Sequence, residues 1–85
     1  MLGNMELKDT VELMNSSDYK ERFKAEYYQL KIRYDKLRTM LDKWNKGLLE
    51  FTPICCKDIY IEQLNGMRRY IATLEMRADI ENIEL

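Results

Sequence analysis

At 85 residues and a formal net charge of −1, the chain has room for one domain and exerts no overall pull on a polyanion. It contains no histidine, which removes the commonest general base and the commonest metal ligand together. No apolar run approaches the ~18 residues of a membrane span and no signal peptide is visible, so a soluble, cytoplasmic protein is expected.

The charge is segregated. Residues 18–46 carry nine Lys/Arg against five Asp/Glu, a local balance of +4, while residues 1–17 come to −2 and residues 47–85 to −3. Two readings fit. The acidic ends dock on the basic stretch or all these charges are solvated, or the basic stretch gathers an anionic ligand.

In chain order, Met1 to Asn4 carry no structural signal, and Met5 offers a second start. From Met5 to Asn15, Leu7, Val11 and Met14 fall on one helical face, enough for a short docking helix. Asn15, Ser16 and Ser17 then break it, because their side chains compete for backbone hydrogen bonds and favour caps. Asp18 to Lys46 reads as one long amphipathic helix of roughly 40 Å. Its stripe is Tyr19, Phe23, Leu30, Tyr34, Leu37, Leu41 and Trp44, with Leu48 one step beyond. Steps of three and four hold throughout if Glu26 or Tyr27 fills the single gap. Asp18 with Glu21 makes a capping-box-like start, and Gly47 a natural stop. Lys31–Asp35 and Asp42–Lys46 have the spacing of supporting i,i+4 pairs.

The connection Gly47–Thr52 is apolar for a turn, so Leu49 and Phe51 are expected to pack. Thr52-Pro53 predicts a helix start, since proline suits the first helical position. The second long helix then runs from Pro53 to about Asn82 with the stripe Tyr60, Leu64, Met67, Ile71, Leu74 and Ala78. Gly66 lies inside it at some cost in helix propensity. Two long helices with a short connection predict an antiparallel hairpin, an all-α fold. Ile59, Met76, Ile80 and Ile83 fall away from the stripe as spare apolar surface. Hydrophobic residues make up 46% of the chain, more than a hairpin with one stripe per helix can bury, which points to a homo-oligomer.

Signatures of catalysis are missing. No glycine-rich phosphate loop precedes a helix, and no Ser/His/Asp or Cys/His set exists. Cys55 and Cys56 are adjacent and cannot supply zinc-ligand spacing; a reduced pair without chemistry is expected, with no metal and no cofactor. Arg22, Glu26 and Arg33 intrude on the stripe of the first long helix, Tyr19 heads the row and Lys36 borders it. Either the arginines are paired rim residues whose stems cover the core, or Tyr with Arg and Lys stacks on a base and holds a phosphate. On the second helix, Arg68 and Arg69 either close an anion pocket or pair with Glu62 and Glu75. Nucleic-acid binding through the basic helix is disfavoured by the acidic flanks.

Taken together, the first helix reads Tyr19-x2-Arg22-Phe23-x2-Glu26-x3-Leu30-x2-Arg33-x2-Lys36-Leu37. The second reads Gln63-Leu64-x2-Met67-x2-Tyr70-x3-Leu74-x2-Arg77. Across residues 18–80 this pattern resembles the small helical-hairpin proteins of bacteriophages and prophages, a group that includes the anti-CBASS and anti-Thoeris nucleotide sponges. The resemblance implies a homo-oligomer, commonly a hexamer. It would bind a cyclic dinucleotide, cyclic trinucleotide or cyclic ADP-ribose type signal between subunits, without chemistry, in the cytoplasm of a bacterial host. Carried onto this chain, the ligand-binding positions are Tyr19, Arg22, Arg33 and Lys36, with Tyr70 and Arg77 from the second helix. The family often has Lys where this chain has Arg33. The alternative is a helical protein–protein interaction module without a nucleotide ligand.

Overall fold

A computed structural model describes residues 5–85; residues 1–4 lie outside the described residues. A 3-10 turn (Leu7–Thr10) leads into a single helical turn, α1 (Val11–Met14), followed by two long helices, α2 (Tyr19–Asn45) and α3 (Lys57–Glu81). The described residues are helical or irregular, with no strand among them. They pack into a rod of 43 × 24 × 20 Å.

The two long helices end for identifiable reasons. At the start of α2, Asp18 is extended and its carboxylate accepts the Lys20 N–H at 3.0 Å. Glu21 does not reach back to Asp18 as a capping box would. It takes the Ser16 hydroxyl instead, and the same hydroxyl oxygen accepts the Asp18 N–H at 3.0 Å. At the other end Gly47 takes φ +72° and the Leu48 N–H closes on the Lys43 carbonyl at 2.8 Å, the glycine stop expected there. In α3, Asn82 adopts the left-handed conformation and the Ile83 N–H bonds the Ala78 carbonyl at 2.9 Å. This reversal turns Ile83 back under the helix, where it is buried rather than left as spare surface.

The hairpin core is the joint of the two stripes. Phe23, Tyr27 and Tyr34 of α2 meet Ile71, Leu74 and Ala78 of α3, with Leu30, Leu64 and Met67 at the border. Tyr27 fills the gap in the α2 stripe, while Glu26 faces solvent. Leu74 is 1% exposed, and removing such a side chain leaves a cavity that costs about 2–5 kcal/mol.

A second face of α2 is also covered, which the single-stripe reading missed. Ala25, Gln29 and Ile32 step by four and three, and the 3-10 turn and α1 pack along α2. The anchor is polar. Thr10, 0% exposed, donates its hydroxyl to the Leu7 carbonyl at 2.7 Å and accepts from Gln29 Nε2 at 2.9 Å. Val11 and Met14, expected to dock, are 45% and 46% exposed. The expected continuous helix over 5–15 is a 3-10 turn plus one α-turn, and this puts Thr10 inward in their place.

The connection departs furthest from expectation. The second long helix begins at Lys57, not Pro53, with Cys56 as its extended cap. Proline permits a helix start but does not compel one, and here the start is fixed by tertiary contact. Lys57 Nζ donates to Asn45 Oδ1 at 2.9 Å and lies 5.0 Å from the Trp44 ring centre, while Tyr60 meets the same ring edge-on. Phe51 remains 59% exposed and Leu48 64%, so only Leu49 of the two expected apolar residues is partly covered. Neither Lys31–Asp35 nor Asp42–Lys46 closes to ion-pair distance; Lys31 sits over Tyr34, 5.6 Å from its ring centre.

Candidate functional site

Antiparallel packing brings the start of α2 beside the end of α3, and a closed polar cluster forms there. The Tyr19 hydroxyl donates to Glu81 Oε1 at 2.7 Å and accepts from Arg77 Nη2 at 2.8 Å. Arg77 Nε donates to Glu81 Oε2 at 3.2 Å, completing a ring of three hydrogen bonds. Beneath it, the Arg77 guanidinium lies 4.9 Å from the centre of the Phe23 ring, which Tyr19 also meets edge-on. Lys20 Nζ closes the outer side on the Asn82 carbonyl at 3.2 Å.

The electrostatics follow from that ring. Donation to Glu81 holds the Tyr19 phenol above its ordinary range, against the opposing pull of Arg77. The same bond, then Arg77, holds the Glu81 carboxyl below its ordinary range, and the contact with Glu81 raises the Arg77 guanidinium. All three groups are thus held in their charge state near neutrality: two opposite charges and one neutral phenol. Glu81 was not singled out in the sequence, although its i,i+4 spacing from Arg77 is the signal that could have found it.

Further along the same edge, Tyr70 donates its hydroxyl to the Glu26 carboxylate. Glu26 is therefore occupied by α3 and does not pair with Arg22. Arg22 Nη1 instead donates to the Ser16 carbonyl at 2.9 Å, tying the turn before α2 to its first coil. On the opposite edge, Tyr27 donates to Glu75 at 2.7 Å, and burial plus that bond push its phenol up to about 12. Arg68 Nη1 donates to Asn65 at 3.2 Å and Arg68 Nε, more weakly, to the Tyr34 hydroxyl at 3.4 Å, so the simple pairing of Arg68 with Glu62 or Glu75 does not form.

Arg33 and Lys36 stand apart from all of this. Both are exposed, and neither has a hydrogen bond or ion pair among the described residues. The two ion pairs among the described residues, Lys8–Glu6 and Arg77–Glu81, involve no cation of α2. The acidic flanks therefore form no contact ion pair with the basic helix among the described residues. Of the six candidate residues, the structure brings Tyr19 and Arg77 into contact, attaches Arg22 to the N-terminal turn and Tyr70 to Glu26, and leaves Arg33 and Lys36 open to solvent.

At the start of α2, Tyr19 and Arg77 set a phenol beside a guanidinium, a pairing suited to an anion with an aromatic portion. Cys55 and Cys56 are free thiols in the connection, away from it. Among the described residues no group of three or more His, Cys, Asp or Glu side chains is placed to hold a metal ion. No helix is long and apolar enough to cross a membrane among the described residues.

A family model, Sequestin, matches residues 17–80, from just before α2 almost to the end of α3. The chain belongs to the Sequestin family. The matched span contains all six candidate residues and leaves outside it the 3-10 turn, α1 and Glu81. No curated protein and no solved structure matches the chain.

Proposed function

We propose that this Sequestin family member is a phage-derived anti-defence protein. It binds a cyclic nucleotide immune signal and sequesters it without chemical change, at pockets between subunits of a homo-oligomer. The ligand class is a cyclic dinucleotide, a cyclic trinucleotide or a cyclic ADP-ribose type molecule, met in the cytoplasm of a bacterial host. The observation that carries this reading is family membership over 17–80, a family named for sequestering. The cations of α2 within that span, which form no ion pair among the described residues, support it, since they are the groups a phosphate requires.

In this reading Arg33 and Lys36 hold the phosphates and Arg22 widens the positive field. Tyr19 and Tyr70 offer ring faces or hydroxyls to the base and ribose, and Arg77 adds a second guanidinium from α3. Sequestration needs affinity alone, so neither a general base nor a nucleophile has to be found among these residues.

The test is a thermal unfolding series with each of the three ligand classes in large excess, followed by heat release and chromatography of the recovered ligand. Tight binding raises the melting temperature by mass action, and a sequestered ligand returns intact. A melting temperature indifferent to every ligand overturns the proposal. A ligand returned hydrolysed would make the protein an enzyme. Indifference to nucleotides together with a specific protein bound in a defined ratio would establish the interaction-module alternative.

A further inference from the structure

The outer side of α3 carries a second regular seam, turned well away from the hairpin core. Ile59, Met76 and Ile80 are 57%, 62% and 79% exposed, and with Glu62, Gly66 and Arg69 between them they advance in alternating steps of three and four. Thr73 continues the rhythm and turns its hydroxyl onto the Arg69 carbonyl of its own helix at 3.0 Å. Alternating steps of three and four generate a seam against another helix, yet among the described residues no helix covers it.

Gly66 sits at the middle. A Cβ built there would meet nothing within 4 Å, so nothing inside one chain requires a glycine at this place in a helix. Glu62 and Arg69, one turn to either side, are exposed and form no ion pair among the described residues.

We infer that the outer seam of α3 binds the same seam of a second copy of this chain, antiparallel and two-fold symmetric about the Gly66 region. Turned end over end, the seam matches itself in one register. Ile59 faces Met76 of the second copy at both ends, so apolar meets apolar. Gly66 faces Arg69 of the second copy, and the missing side chain gives that long arginine room to lie across the helix. Glu62, one turn from Gly66, then receives its guanidinium. A two-fold contact makes each of these interactions twice. This places a specific contact within the homo-oligomeric part of the proposed function and does not depend on which ligand is bound.

The test is sedimentation velocity of the full chain across a concentration series. Wild type should sediment as a dimer or an even multiple of one. Gly66→Arg sets two arginines against each other and should at least halve the assembly, while helical content by circular dichroism is retained because the monomer leaves that position open. Arg69→Glu should also dissociate it by facing Glu62 with a like charge, and the double variant Glu62→Arg/Arg69→Glu should restore the wild-type mass. An oligomer unmoved by Gly66→Arg, or a double variant that fails to rescue Arg69→Glu, overturns this seam while leaving the homo-oligomer intact. A wild-type monomer at every concentration overturns both.

Discussion

The two ends of the candidate edge differ in what their polar groups are already doing. At the start of α2, Tyr19, Arg77 and Glu81 satisfy one another over the Phe23 ring. About four to five turns further along, Arg33 and Lys36 have no partner among the described residues. A ligand must break existing bonds to use the first group, whereas the second loses only water. The closed end therefore acts chiefly as a clamp on the hairpin, and on the proposed function the open stretch would provide most of the binding energy.

The largest expected effect comes from removing what the clamp rests on. Phe23, 3% exposed, supports Tyr19, Arg77 and the core, so Phe23→Ala should lower stability by about 3–5 kcal/mol in urea unfolding. A loss under ~1 kcal/mol would mean the clamp stands without its floor. Next is Arg33→Ala. A hydrogen bond to a charged group is worth about 1.5–3 kcal/mol, so ligand affinity should fall roughly 10- to 100-fold by calorimetric titration. Stability should hold within about 0.5 kcal/mol, as for an exposed residue without special contacts. Early unfolding with normal binding would reverse the roles of the two regions.

Tyr27→Phe serves as the structural control on the far edge. The buried Tyr27 phenol is raised from 10.0 to about 12, so the neutral form is favoured in the folded state. Its contribution is complete below pH 10 and is lost as pH rises toward about 12. The variant should forgo about 1 kcal/mol at neutral pH and show a flatter alkaline limb in its melting temperature. An unchanged alkaline limb would remove Tyr27 as its cause.

The smallest expected effect is that of Glu81→Gln. Glu81 is depressed in the folded state, so its contribution is present above the ordinary carboxylate range and disappears as pH falls through its lowered value. The variant should lose a little stability at neutral pH, lose that acid-side dependence, and leave Tyr19 and Arg77 freer to meet ligand. Equal or slightly tighter binding is expected, and a marked loss of affinity would show that the closed end itself forms the pocket.

Much of the hairpin was legible because large apolar side chains at steps of three and four leave one solution for each helix. Phe23, Tyr34, Ile71, Leu74 and Ala78 were all placed inside on that ground. The second covered face of α2 was not legible, because Ala25 and Gln29 are small or polar and their partner is a buried threonine hydroxyl. The start of α3 was misplaced because Pro53 is a local signal, while Lys57 is held by Asn45 and Trp44 across the connection. For the site, the candidate residue types could be read from the sequence. Which of them are already occupied was legible only in part: the Tyr19–Glu81 bond forms only when the helices fold back, whereas Arg77–Glu81 and Arg22–Ser16 are local.

The most direct measurement is native mass spectrometry of the gently desalted protein, alone and after incubation with cyclic dinucleotide, cyclic trinucleotide and cyclic ADP-ribose type ligands. We expect a discrete homo-oligomer that gains the intact mass of one ligand class in a fixed ratio to subunits, with Arg33→Ala losing that added mass and keeping the assembly. A bare oligomer or monomer that takes up none of them would contradict sequestration of a cyclic nucleotide by this chain.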